Sequence, residues 1–275
     1  MTDDDITEDS EEDGSECAIA MVATSSERLP SVAKIKKACG LQGSLFERVL
    51  SKFGKRKIEE QWDENVLMLE CDDSQIVVVL MPGSIPWSQL EGPCATAWWW
   101  PDATEAMQQH KYHFIAMVRG GEWNEVARRV ILAGVIQGVL ESTDAVGVYW
   151  GDATLVMQPE LFIANARPAT IDDVPMMVFA DVRVEEISDG VYRCFTTGME
   201  SLGFHEIEVD ETTMEPDVLM EFILDSAKYI VDNYLEIPEG NTFGRDAHKQ
   251  FKIHYRPSMF DRDIVMKFDL NQDGM

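Results

Sequence analysis

Residues 126–140 constrain this fold more than any other part of the chain. They are apolar on nearly every side, with Arg128 and Arg129 near the start and Gln137 as the other polar side chain. A helix that is apolar all round is either a membrane span or surrounded by protein. This one is too short to cross a bilayer. The rest of the chain is therefore expected to build a core around it. Gly134 and Gly138 lie four residues apart. That spacing is expected to let the helix lie close on a sheet, without the meaning it carries in membranes.

The chain has 275 residues, 45% of them apolar, enough for one large domain or two packed lobes. Its formal net charge is −27. Nine acids fall within residues 1–16, with no Lys or Arg among them. Such a segment cannot repay its ordering entropy, so a disordered acidic tail is expected. The remainder is acidic as well. An acidic surface repels phosphate backbones, which argues against nucleic acid as a partner.

Five cysteines are widely spaced, and no C-x-x-C occurs. Neither a disulfide framework nor a cysteine zinc site fits, so reduced thiols in a cytoplasmic protein are expected. The N-terminus is acidic where a secretory signal needs positive charge. No membrane association is expected.

Hydrophobic patterning gives the element order. A strand is expected near 17–23. Two helices follow, one from Pro30 to Gly40 and one over 44–53. They lie in the single basic region, 28–57, whose only acid is Glu47. This region has three readings: a solvated helix face, a surface onto which the tail folds, or a site for an acidic partner. Strands at 66–70 and 75–81 form a hairpin. Residues 85–100 form a loop rich in Pro and Trp. Asp102-Ala103-Thr104-Glu105 resembles a capping box opening a short helix. Then come a strand at 112–118, the long helix 123–140, a strand at 145–150 and a helix at 159–166. The second half is expected to hold strands at 176–185 and 191–197 around an Asp189-Gly190 turn. A third strand at 204–209 follows, then a helix at 216–234, a turn with a short helical piece at 240–248, and strands at 251–255 and 264–268. The fold class is α+β, with mostly antiparallel or mixed sheets and packed helices. The first half follows a ferredoxin-like split β-α-β order. The expected organisation is a tail at 1–16, an N-terminal α/β lobe at 17–166 and a C-terminal α+β lobe at 167–275, packed as one globular unit.

Several short motifs occur in a fixed order. Met81-Pro82-Gly83-Ser84-Ile85-Pro86-Trp87 precedes Trp98-Trp99-Trp100. His110-Lys111-Tyr112-His113 leads into a strand. Gly147-Val148-Tyr149-Trp150-Gly151 is followed by Pro159-Glu160-Leu161-Phe162. Thr197-Gly198-Met199-Glu200-Ser201-Leu202-Gly203 comes late, and Gly244-Arg245 precedes the last strands. In this order and spacing the chain resembles the bacterial domain-of-unknown-function family 4261, over roughly residues 17–268. The resemblance supplies no catalytic residues, and none is carried over.

Candidate residues follow from chemistry. His110 and His113 are the leading metal or acid–base candidates, but two histidines lack the further ligands a zinc site needs. No metal and no cofactor are expected, and a core or interface role suits His113 better. Trp87, Trp98, Trp99 and Trp100 either bury under their loop or line a groove. Tyr149, Trp150 and Asp152 sit at a strand end, where sites are common. Asp181 and Arg183 share a strand face and are expected to pair. A helix cap accounts for Gly244-Arg245-Asp246 with His248. No nucleophile elbow, phosphate loop or dinucleotide fingerprint is present. The function expected is a soluble, non-enzymatic module that binds a protein partner. The alternative is a small-molecule-binding protein or enzyme, with its site between the Trp98–Trp100 loop and the Tyr149–Asp152 turn.

Overall fold

The computed structural model describes residues 17–40, 58–71, 74–121, 123–246, 249–260 and 264–270. The expected tail at 1–16 and helix at 44–53 lie outside the described residues.

The first half is a sheet with helices on both faces. Its elements are β1 (Cys17–Thr24), α1 (Val32–Ala38), β2 (Ile58–Asp63), β3 (Val66–Cys71), β4 (Ser74–Pro82), α2 (Trp87–Thr96), α3 (Ala103–Gln108), β5 (Tyr112–Gly120), α4 (Glu125–Leu140), β6 (Ala145–Trp150), β7 (Leu155–Met157) and α5 (Pro159–Ala166). The sheet order is β2-β3-β4-β5-β1-β6-β7, antiparallel at every pairing. Its central strands read β4-β5-β1-β6. β1 and β4 run the same way with β5 between them, and β5 and β6 run the same way with β1 between them. That is the split β-α-β order read from the sequence. The departure is an insertion: α2 and α3 occupy the place of a tight β4–β5 turn.

Alternation on β1 sends Ala18, Ala20 and Val22 to one face and Met21 and Ala23 to the other. The first face receives α1, α4 and α5, and the second receives α2 and α3. Every residue of α4 from Val126 to Leu140 is buried, as its composition requires. Asn124 caps it by accepting from the Ala127 N–H at 2.8 Å. Gly134 and Gly138 do not face the sheet as expected. They face α1: a Cβ on Gly134 would lie 2.9 Å from the Cys39 Cα, and one on Gly138 would lie 2.7 Å from the Ile35 N. The spacing therefore sets a helix–helix approach, α1 against α4.

The second half adds α6 (Met176–Phe179), β8 (Asp181–Ser188), β9 (Val191–Thr197), β10 (Ile207–Thr212), α7 (Pro216–Asp232), β11 (Thr242–Asp246), β12 (Lys249–Pro257) and β13 (Ile264–Asp269). Its sheet runs β11-β12-β13-β10-β9-β8, with β10 parallel to β13 and the other pairs antiparallel. α7 packs its apolar stripe, including Leu219, Phe222, Ile223 and Ile230, on this sheet. One buried cluster runs through both sheets and includes Phe114, Trp150, Phe179 and Phe222.

Several elements differ from expectation. Residues 85–100 are not one loop. α2 forms despite Pro93 because Leu90 and Cys94, four residues apart, are buried together. Asp102 opens α3 without a side-chain capping bond. The expected strand at 176–185 begins as a helical turn, with the Ala180 N–H donating to Met176 O at 2.8 Å. Residues 242–246 are a strand rather than a cap: Phe243 packs on Phe268 at 5.7 Å and pairs with Phe251. His248 lies outside the described residues. β2 and β7 were not anticipated.

Candidate functional site

The two histidine candidates secure a turn. The Ile85 N–H donates to His110 Nε2 at 2.7 Å, and His110 Nδ1 donates to Met107 O. His113 Nδ1 donates to Gly83 O at 2.9 Å. The Met81–Trp87 motif and the His110–His113 motif are thus one device, in which two imidazoles tie the turn before α2 to the start of β5. His110 uses both ring nitrogens on backbone groups and keeps no lone pair for a metal. Among the described residues no group of three or more His, Cys, Asp or Glu is set to hold a metal ion.

Burial holds the His110 pKa below its ordinary value; the Met107 carbonyl opposes this and His113 adds to it. A base depressed by folding takes up protons preferentially when unfolded. Stability should therefore fall as pH drops below about 6.5, the ordinary histidine value. Asp181 and Glu206, whose carboxyls burial raises, act with the opposite sign as pH falls. The His110 contribution is isolated by difference. His110→Gln can accept from Ile85 and donate to Met107 without titrating. Its unfolding midpoint, followed from pH 7.5 to 5.5, should lose less than that of the parent chain. Equal losses would remove His110 as the cause.

The three consecutive tryptophans fall into three environments. Trp100 is buried against Gly147, where a Cβ would stand 2.9 Å from the indole and 2.6 Å from the Met107 sulfur. Trp87, Trp99 and Tyr149 pack around the same cluster with Leu90 and Met107. Trp99 donates its indole N–H to Val156 O at 3.0 Å. Trp98 stands apart, 60% exposed, with its ring edge-on to Trp99 at 5.5 Å. The space between the Trp loop and β6 is therefore filled by rings rather than left open.

Trp150 and Asp152 go elsewhere. Strand alternation turns Trp150 away from Tyr149, into the other core layer against Phe162 and Phe179. Asp152 accepts from Arg129 Nε at 2.9 Å. Burial lowers the Arg129 pKa and the Asp152 charge opposes this, so the carboxylate compensates a guanidinium held inside α4's apolar surroundings.

Asp181 and Arg183 form the expected pair at 2.5 Å. Sequence reasoning missed Glu206. Its carboxylate, 2% exposed, accepts from the Thr196 hydroxyl at 2.6 Å and the Gly198 N–H at 2.6 Å. The Thr197–Gly203 motif is thus a loop wrapped on a buried acid. Burial pushes the Cys94 thiol up to about 11 and Cys194 to about 12, and raises Cys17 and Cys39 as well. Thiols held in that range are poor nucleophiles near neutral pH.

Trp98 sits over the second half of the chain. With Trp99, Met177, Asp181, Met220 and Leu224 it lines a shallow recess. Met177 and Leu224 also line the adjoining groove, about 320 Å³, with Pro168, Val174, Asp173 and Lys228. Lys228 is held by Asp173 at 2.5 Å and Asp232 at 2.8 Å. A larger opening of about 580 Å³ lies between α7 and β11, beside Tyr229 and Phe243. None of the aromatic or acidic residues singled out from the sequence reaches it.

The family described as domain of unknown function (DUF4261) matches over residues 195–269, from β9 to β13. No curated protein and no solved structure matches the chain. Among the described residues no helix is long and apolar enough to cross a membrane.

Proposed function

We propose that this chain, which carries a DUF4261 domain over residues 195–269, is a non-enzymatic protein-interaction module of the cytoplasm. Its partner seats on the Trp98 face, where the lobes 17–166 and 167–275 meet. The observation that supports this reading is Trp98 itself: a 60%-exposed indole that lines a shallow recess with Met177, Met220 and Leu224. Tryptophan is one of the residues most enriched at interface hot spots, where it packs into a pocket on the partner. Methionines suit such a surface because their side chains repack around different guests. Cys17, Cys39, Cys94 and Cys194 are free thiols, which suits a reducing compartment.

Photo-crosslinking tests the face directly. A photoreactive aromatic residue, which keeps a large ring at position 98, replaces Trp98 in one variant and Ile187, exposed on β8, in another. The position-98 probe should capture one recurrent protein that the position-187 probe does not. Equal or absent capture at 98 in cells expressing the protein would count against the reading.

A further inference from the structure

We infer that the open edge of β11 takes an extended, apolar peptide segment of a partner protein as an added strand, at a site separate from the Trp98 face. β11 is the last strand of the second sheet and pairs only with β12. The Ile253 N–H donates to Asn241 O at 2.9 Å, and two residues back along β12 Phe251 pairs with Phe243. Bonded and unbonded residues alternate along an antiparallel ladder. Phe243 therefore faces β12, and Thr242 and Gly244 turn their backbone groups outward. Among the described residues nothing outside the ladder bonds to the backbone of either. The opening of about 580 Å³ between α7 and β11 lies against this edge, lined by Tyr229, Leu235, Thr242, Phe243 and Gly244.

An open ladder accepts a backbone only in extended form, which selects a strand over a helix; the adjoining pocket then selects its side chains. Tyr229 is 52% exposed, with its ring 5.9 Å from that of Phe243. Asp225 also lines the opening and already has a partner. Ser226, Thr242 and Gln250 add no charge, and the Thr242 hydroxyl donates to Gln250 at 2.8 Å. A neutral wall with two rings suits a large apolar side chain, and the opening has the size of pockets that bury a ligand. β8, the other edge of this sheet, carries Asp181, Arg183, Glu185 and Glu186. Charges of that kind keep an edge from adding strands. Thr242, Phe243 and Gly244 carry none. The chain's own residues 1–16, nine of them acids, do not suit the neutral wall. A second copy is disfavoured because chains of net charge −27 repel one another. The occupant left is an apolar strand of another protein.

A displayed library of short peptides, selected on the full chain, supplies the probe, and the enriched peptide is synthesised with a fluorescent label. Selection should enrich alternating β-branched and aromatic residues. Methylating the peptide's backbone amides should weaken binding to the parent chain by about tenfold or more, because an added strand donates through them. Tyr229→Ala should weaken it by a similar factor. Gly244→Pro removes an outward N–H and leaves the β12 side of the ladder intact, a position where edge strands tolerate proline. It should weaken binding about tenfold or more with the melting midpoint kept. Trp98→Ala should leave the affinity unchanged. The inference is overturned if no peptide is enriched, if the methylated peptide binds as well, or if a folded Gly244→Pro chain binds as well. It is also overturned if Trp98→Ala abolishes binding, which would move the peptide to the Trp98 face. A parent chain that sediments as a dimer, with Gly244→Pro a monomer, would put a second copy on the edge and overturn the assignment to a partner protein.

Discussion

Replacing Gly198 with alanine should cost this protein about 3–5 kcal/mol, enough to unfold a marginal domain. Three chain segments meet at that position. The backbone φ is +115°, a region that L side chains rarely adopt. An added Cβ would collide with the Phe179 carbonyl and lie 2.9 Å from the Ala153 Cβ. Neither neighbour can yield easily: Phe179 leads into β8, and Ala153 follows β6. The Gly198 N–H also holds the Glu206 carboxylate, so a shifted loop would loosen a buried acid. Gly190→Ala is the control. Gly190 also has positive φ, +67°, but open space where a Cβ would go. It should lose only about 1 kcal/mol in denaturant melts. Comparable losses at the two sites would show that the three-way junction is not tightly packed.

Gly138→Ala separates two effects of opposite sign. Alanine favours a helix over glycine by about 1 kcal/mol, so intrinsic propensity predicts a gain. The structure predicts a loss. The new Cβ would collide with the Ile35 Cα and sit 2.7 Å from its N, and backbone atoms cannot rotate aside. Relieving that contact means pushing α1 off α4, at about 1–3 kcal/mol or more, so packing outweighs propensity. A lowered thermal midpoint is the expected outcome. An unchanged or raised midpoint would contradict the close approach of the two helices.

Where periodicity was strong, the fold was legible. Residues 126–140 could only be a buried helix, and Pro159 with its apolar run marked α5 to both ends. The strand at 145–150 and the split β-α-β order followed from alternation and element order. What was missed was decided by tertiary burial. Gly92 and Pro93 argue against a helix, yet Leu90 and Cys94 bury one. Met176-Met177-Val178-Phe179 reads as a strand by residue type, but the chain needs one helical turn there before β8. β11 is fixed by Phe243 docking on Phe268, a contact that no local pattern encodes.

The structure separates the candidate residues that stand together in the sequence. Tyr149 and Trp150 read as one motif in the sequence, although neighbours on a strand must point to opposite faces. That signal was available in the period of two. The three tryptophans were likewise one motif in sequence. In the turn after α2 each points its own way, and Trp98 alone reaches solvent over half its surface. Arg129–Asp152 and Glu206 carried only weak signals: a charge in an apolar helix and an acid between a glycine loop and an apolar strand.

On the proposed function, Trp98 carries the contact with the partner. The most direct measurement is the affinity of the protein captured at position 98, purified and titrated against the parent chain and Trp98→Ala. Trp98→Ala should lose about 2 kcal/mol, roughly thirtyfold in Kd, with its melting midpoint unchanged. Equal affinities for the two chains would contradict it.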